Sequence, residues 1–472
     1  MINSTKYKFT SSIPKNVILI EFVSYNNFDL FLKKQNKLTQ QWIDNYNFIA
    51  DTHSYCIIFN NKGIQKKILI GIGEKNVNDI DIFSLGLTKK FLNANYTYKI
   101  INIKSQKILK IIALNWMLDG YCFDKYKKFY FNKPIYPKLY IPTKIKTYIE
   151  NIYASISLTR DLINTPANEM MPQDIYKVVK DISILYNAKL KQIVGNKLND
   201  YNFTTINIVG QASNNEPRLI ELNWGSENNP LIVLVGKGVC LDTGGLNIKT
   251  SNKMRYMKKD MGGAAHVIGL ANMIMSTKLP VRIRLLIPAV ENSISSKSYR
   301  PGDIIKTRAG INIEVDNTDA EGRIILSEVL HEACNVKPEL IIDYATLTSA
   351  ARYALGSELP AFYSNNNNIA ESLKTISKKI SDPIWEMPLY QNYNTLIKSD
   401  IADIVNSYSF NGIALGGSIT AALFLQHFIH NNVNWVHFDI TGWNFQTNPS
   451  RPKGGEAQGI RVVYEYIKNK YT

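Results

Sequence analysis

The segment VDNTDAEGRIIL spans positions 315–326 and sets two carboxylates, Asp319 and Glu321, two residues apart, followed by Gly322 and Arg323. In an extended segment positions i and i+2 point the same way, whereas on a helix they diverge. Read as extended, the run converges Asp319 and Glu321 on one point. Converging anions repel unless a cation lies between them, so the spacing points to a bound cation. As a plain surface turn with an internal Asp319–Arg323 pair, the segment would contribute about 0–1 kcal/mol. Its flanks, INIEV and RIIL, are apolar enough to be buried, and buried charges need partners.

Two upstream segments add to the set. VLVGKGVCLDTGGLNIK (233–249) carries Lys237, Asp242 and Lys249. Its Gly-Lys-Gly lacks the third glycine and the following helix of a dinucleotide loop. Its Asp-Thr-Gly would suit an aspartic peptidase only with a second such carboxylate, and the chain has no other Asp-Thr-Gly. Taken alone, it reads as a Gly-Gly turn between two solvated lysines. MRYMKKDMGGAA (254–265) places Asp260 before Gly262-Gly263 and an alanine-rich helix, either as a helix cap or as a further acid at an element end. Together the segments supply Asp242, Asp260, Asp319 and Glu321 with Lys237, Lys249 and Arg323. There is no His-Glu-x-x-His, and the histidines at 53, 266, 331, 427, 430 and 437 have no ligand spacing. A carboxylate site for one ion would suit Mg²⁺ or Ca²⁺. Four converging acids suit two divalent ions ~3.5–4 Å apart, which bring a water's pKa from ~15.7 towards ~7 and polarise a carbonyl. This is hydrolytic equipment.

These residues need elements to hold them. The apolar runs PLIVLVG (230–236), VRIRLLIPAV (281–290), ELIIDYATL (339–347) and NWVHFDIT (434–441) alternate with helical patterns at 263–275, 323–334 and 417–429. Continuous apolar strands suit a parallel sheet covered on both faces. The expectation is an α/β chain: a small N-terminal α/β domain over 1–140, then a three-layer α/β/α catalytic domain over 141–472 with a largely parallel mixed sheet. The proline-rich FNKPIYPKLYIPTK (131–144) reads as a linker. Its Lys and Tyr interleaving also suits single-stranded nucleic acid. The polar motifs fall where strands end, and in such sheets ligands bind beyond the strands' carboxyl ends.

The 472 residues are too many for one ordinary domain. Lys plus Arg number 55 against 39 Asp plus Glu, a net charge of +16. That excess permits nucleic acid or an anionic membrane as a partner, but lysine is spread along the chain without a separate basic block. Nucleic-acid binding is therefore kept as the second hypothesis, with affinity that falls steeply with salt. Cys56, Cys122, Cys240 and Cys334 lie far apart, which suits a reducing compartment. The N-terminus has no signal-peptide core, and no apolar stretch is long enough to span a bilayer. The expectation is a cytoplasmic protein with no membrane association.

The segments VGKGVCLDTGGLNIK, MKKDMGGAA and NTDAEGR, in this order, together resemble the leucine (cytosol) aminopeptidase family of two-metal exopeptidases. TRDLINTPANEMMP (159–172), IWEMPL (384–389) and SDIADIVN (399–406) are similar to that family too, so the resemblance covers roughly residues 150–465. It implies a metal-dependent aminopeptidase that hydrolyses the N-terminal bond of peptides through a hydroxide bridging two divalent ions, Zn²⁺ or Mn²⁺. Lys237, Asp242, Asp260 and Glu321 would bind one metal, and Asp242, Asp319 and Glu321 the other. Lys237 would be a neutral amine. Lys249, too far along to join the shell, would stay charged and hold the oxyanion. Arg323 would grip a bicarbonate that shuttles the proton, and Gly322 would let the backbone turn. Met257, Asn317, Thr346, Leu347 and Ser349 match positions lining the substrate cleft. The family usually has Gly at the place of Ser349 and Phe at the place of Leu241. The resemblance also implies a homohexamer.

Overall fold

The structure is a computed structural model that describes residues 8–127, 137–409 and 415–472. It divides into two compact units, Met1–Ser157 with Phe445–Lys453, and Leu158–Asn444 with Gly454–Thr472.

In the first unit the apolar runs form a six-stranded sheet. Its order is Lys8–Thr10, Lys138–Tyr140, Thr97–Ile100, Val17–Val23, Gln65–Gly71 and Tyr55–Phe59. All neighbours are parallel except Gln65–Gly71 and Tyr55–Phe59. Alternate residues Ile18, Ile20, Ile68, Ile70 and Tyr98 are buried, and the Tyr98 ring lies 5.7 Å from Trp116 of the helix Gln106–Asp119. Of the segment expected as a linker, residues 131–136 lie outside the described residues, while Lys138–Tyr140 is a strand of this sheet. Its alternation of exposed Lys138 with buried Leu139 lets it pair, which a proline-stiffened spacer would not do.

In the second unit the four expected apolar runs are the central strands Leu231–Gly236, Arg282–Asn292, Leu340–Ala345 and Trp435–Asp439. The sheet runs Trp385–Glu386, Ala361–Ser364, Trp435–Asp439, Leu340–Ala345, Leu231–Gly236, Arg282–Asn292, Arg218–Trp224, Lys189–Val194. The central pairs are parallel. Antiparallel pairs join Ala361–Ser364, Arg218–Trp224 and Lys189–Val194 at the margins. One face packs on the helices Gly262–Ser276 and Pro172–Tyr186, the other on Glu321–Asn335 and Thr204–Gly210. Both faces of the central strands are therefore buried, which explains their continuous hydrophobicity. Gly238–Asp242 follows one residue after Leu231–Gly236 and pairs parallel with the far end of Arg282–Asn292. Among the described residues, no helix is long and apolar enough to cross a membrane.

Candidate functional site

The functional candidates gather at the carboxyl ends of the parallel strands. Lys237 follows Leu231–Gly236, Asp242 ends Gly238–Asp242, and Thr346 follows Leu340–Ala345. The 315–326 segment is not extended where it matters. Asp319 lies in the turn before a helix, and Glu321 is the first residue of the helix Glu321–Asn335. Two residues in one continuous strand would share a face; here the turn supplies the convergence instead. Asp319 does not pair with Arg323, because the helix carries Arg323 inwards. Its Nη1 donates to the Asn406 carbonyl at 2.7 Å, and its Nε is buried with no hydrogen-bond partner among the described residues.

Asp242, Asp319 and Glu321 each bring a carboxylate oxygen within 4.8 Å of the others. Asp260 joins them through Lys237, whose Nζ lies 2.9 Å from Asp260 Oδ2 and 2.8 Å from Glu321 Oε1. The Lys237 amine also donates to the Thr346 carbonyl at 3.1 Å. Its side chain is 3% exposed, so the solvated-lysine reading fails. Nor does Asp260 cap the following helix: it sits within the 3-10 turn Met257–Met261, and Met261 precedes the helix.

Lys249, expected to stay charged outside the metal shell, lies directly against the acids. Its Nζ is 2.6 Å from Asp242 Oδ2 and also pairs with Asp319. Gly244 and Gly245 take positive φ (88° and 62°), and the Lys249 amide returns to the Thr243 carbonyl at 2.9 Å. This turn, which L side chains resist, closes the sequence gap between Asp242 and Lys249. Gly322 also serves differently from the expected turn. It lies in the helix, and a Cβ there would approach Lys237 Cδ and Cε to 2.7 Å. The absent side chain is what lets the Lys237 amine reach the acids.

The charges fix one another. Burial opposes the charge on Lys237, yet Asp260, Glu321 and Asp242 hold its pKa above the ordinary lysine range. Burial likewise opposes the charge on Lys249, and Asp242, Glu321 and Asp319 together raise its pKa. Burial, then the Asp242 charge, pushes the Glu321 carboxyl up to about 8. The same two causes raise Asp319, whose side chain is 33% exposed, to about 6. Burial pushes Asp260 up as well, but Lys237, Lys259 and Lys249 together hold it below its usual range. Burial lowers the Arg323 guanidinium to about 10, opposed by Asp439 and Glu321.

Several supporting residues were not singled out from the sequence, although Thr318 lies within NTDAEGR and Asn406 ends SDIADIVN. Asn292 Nδ2 donates to Asp242 Oδ1 and to the Thr318 carbonyl, at 2.8 and 3.0 Å. Thr318 Oγ1 donates to the Gly244 carbonyl at 2.6 Å and accepts from Asn247 N. Asn406 Oδ1 accepts from the Asp316 and Asn317 amides. Each is a buried polar residue in a segment otherwise read for its apolar or acidic positions; lone amides give no periodic signal. Among the expected cleft residues, Asn317 Oδ1 accepts from the Asp319 amide at 2.8 Å. Thr346 Oγ1 donates to Asp260 Oδ1 at 2.8 Å. Leu347 and the exposed Ser349 flank Thr348, and partly exposed Met257 stands three residues before Asp260.

The donor set suits divalent cations. Asp260 Oδ2 and Glu321 Oε1 are buried and accept no hydrogen bond among the described residues, although each lies against the Lys237 amine. Hard carboxylate oxygens with lone pairs to spare, plus one amine, can coordinate such ions.

A model described as "Cytosol aminopeptidase family, catalytic domain" matches residues 157–464, and one described as "M17 aminopeptidase, N-terminal domain" matches residues 18–142. A probable cytosol aminopeptidase of Rickettsia bellii is 35% identical over 411 residues, covering 84% of this chain and 80% of that protein. The crystal structure of the cytosol aminopeptidase from Coxiella burnetii is 41% identical, with a TM-score of 0.92 over 98% of this chain and 99% of that one. The bottromycin maturation enzyme BotP, solved in complex with Mn, shares the fold at 24% identity, with a TM-score of 0.84 over 96% of this chain and 99% of that one.

Proposed function

The chain belongs to the cytosol aminopeptidase family of metal-dependent aminopeptidases, and we propose that it removes N-terminal residues from peptides at a centre built for two divalent ions, Zn²⁺ or Mn²⁺. The observation that carries this reading is the convergence of Asp242, Asp319 and Glu321, extended to Asp260 by Lys237. In the proposal, Lys237, Asp242, Asp260 and Glu321 hold one ion, and Asp242, Asp319 and Glu321 the other. When bound there, such a pair supplies hydroxide at neutral pH and draws charge from the scissile carbonyl. Lys237 acts as a neutral amine in this state. Without a stronger cation its acid neighbours keep it protonated, and a dication taking over those carboxylates reverses the balance.

Lys249 retains its proton beside Asp242 and Asp319 and donates to the oxyanion that forms on the substrate carbonyl. Arg323, with its buried Nε free for an anion, holds a bicarbonate, which supplies a proton relay to the leaving amine. Met257, Asn317, Thr346, Leu347 and Ser349 line the peptide cleft. A cytoplasmic homohexamer without membrane association completes the proposal; nucleic-acid binding is the second reading, and its marker is a salt-dependent gel shift.

The test is hydrolysis of a dipeptide and of its N-acetylated form, by protein stripped with chelator and then reloaded with Mn²⁺ or Zn²⁺. Activity on the free dipeptide alone, lost on stripping and restored on reloading, supports the reading. Turnover that survives exhaustive chelation overturns it.

A further inference from the structure

Asp439 ends the strand Trp435–Asp439 and is 1% exposed. Neither the motifs nor the carboxylate cluster includes it. Its Oδ1 accepts the backbone amides of Leu347 and Thr348 at 3.2 and 3.0 Å. Its Oδ2 accepts the hydroxyls of Thr348 and Ser418 at 2.5 and 2.8 Å. One carboxylate thus takes four donors, three of them from the loop that leaves the strand Leu340–Ala345. Two successive amides directed at one oxygen fix that loop's backbone path.

The same loop is tied to the acid cluster at its other end. Thr346 receives the Lys237 amine on its carbonyl and gives its hydroxyl to Asp260. Thr348 Oγ1, besides donating to Asp439, accepts the Ala351 amide and so caps the helix Ser349–Leu355. Ser418 is oriented in turn by the Tyr363 hydroxyl, which donates to it at 2.7 Å. Asp439 is also the largest opposing charge acting on the buried Arg323 guanidinium. An asparagine here would keep the shape and the two amide bonds. It would lose the charge, and it would turn an amino group towards two hydroxyls that now donate.

We infer that Asp439 is a positioning residue that sets the distance between the 346–349 loop and the acid cluster, and through it the fit of the substrate's N-terminal residue. The inference rests on the aminopeptidase reading for its kinetic consequence, but the loop's anchoring is measurable without catalysis.

The experiment compares the full chain with Asp439→Asn, Thr348→Val and Thr348→Ser. Amide hydrogen exchange over residues 346–355 is read first, then KM and kcat on metal-reloaded protein with Leu-Gly and Ala-Gly. Asp439→Asn and Thr348→Val are expected to exchange faster in this segment, and to raise KM about tenfold, the scale of one net hydrogen bond. Their kcat and bound-metal content should stay near the parent's. Thr348→Ser, which keeps the hydroxyl, should restore both protection and KM. Unchanged exchange in Asp439→Asn overturns the inference whether or not the parent hydrolyses peptides. So does a fall in kcat at constant KM. An inactive parent sinks the aminopeptidase reading instead, leaving the exchange result to decide the anchoring.

Discussion

Replacing Gly322 with alanine should separate helix stability from metal binding. An ideal Cβ at this position lies 2.7 Å from Lys237 Cδ and Cε and 2.8 Å from Nζ. Carbon atoms rest at about 3.5–4.0 Å, so the end of Lys237 must retreat by roughly 1 Å. It has little room, being 3% exposed and held by Asp260, Glu321 and Thr346. Lengthening two ion pairs from below 3 Å by that amount removes about 1.5 kcal/mol of attraction from each, at an effective dielectric near 20. Alanine returns up to about 1 kcal/mol through helix propensity. With overpacking at about 1–3 kcal/mol, the folded state should lose only a few kcal/mol and persist. Metal binding should suffer more in proportion, since ligand distances tolerate about ±0.2 Å. The expected loss in affinity for the ion touching Lys237 is at least the 10–100-fold known for outer-shell changes. Calorimetric titration of the chelator-stripped protein with Mn²⁺, beside a thermal melt of each form, measures both quantities. Parent-like stoichiometry and affinity in a folded Gly322→Ala variant would refute the close-approach argument.

Further outcomes follow from the same geometry. Asp319→Asn should abolish peptide hydrolysis while the circular dichroism spectrum is kept, because Asp319 is partly exposed and in a turn; turnover near the parent's would remove it from the metal set. Thr346→Val deprives Asp260 Oδ1 of its hydroxyl donor and should weaken metal binding about 10–100-fold, read by the same titration. For the metal-free protein, the raised carboxyls give a definite sign. The stabilisation from protonated Asp319 and Glu321 is complete below the ordinary carboxyl range and is lost as pH rises through about 6 and then about 8. Their contribution to the melting temperature therefore falls over this window, while metal affinity climbs as fewer protons compete; an affinity flat from pH 6 to 8 would contradict it. His266 should protonate only near pH 4, since burial lowers its pKa to about 4. It should carry its proton on Nδ1, which faces the Gly262 carbonyl at 2.6 Å, while Nε2 accepts the Gln458 amide. Its stabilising contribution as a neutral ring is present above pH 6.5 and is lost as pH falls through 4. Imidazole nitrogen shifts in an NMR titration report both the tautomer and the midpoint.

The amino-acid sequence by itself determined the layers and the chemistry. Runs such as LIVLVG and LIIDYA are apolar on both faces and could be stable only between helices, and they are the central strands. Asp242 and Asp260 fell between two of the apolar runs, and Asp319 and Glu321 after the short run INIEV, and this order made a shared site legible. What the sequence did not carry was path. The Asp319–Glu321 spacing suggested a strand, but a turn and a helix start bring the two together. Gly322 was expected to let the backbone turn and proves to be clearance for a lysine. Lys249 was expected to stay charged outside the metal shell, and two left-handed glycines bring it back onto Asp242. The roles of Asn292, Asn406 and Asp439 were invisible, even with Asn406 inside a quoted motif, because each acts on backbone atoms far along the chain. Hydrophobic periodicity reports which face of an element is buried, and that is a local property. Which carbonyl or amide a buried polar group meets depends on how strands and loops distant in the chain are brought side by side, and only the tertiary structure decides it.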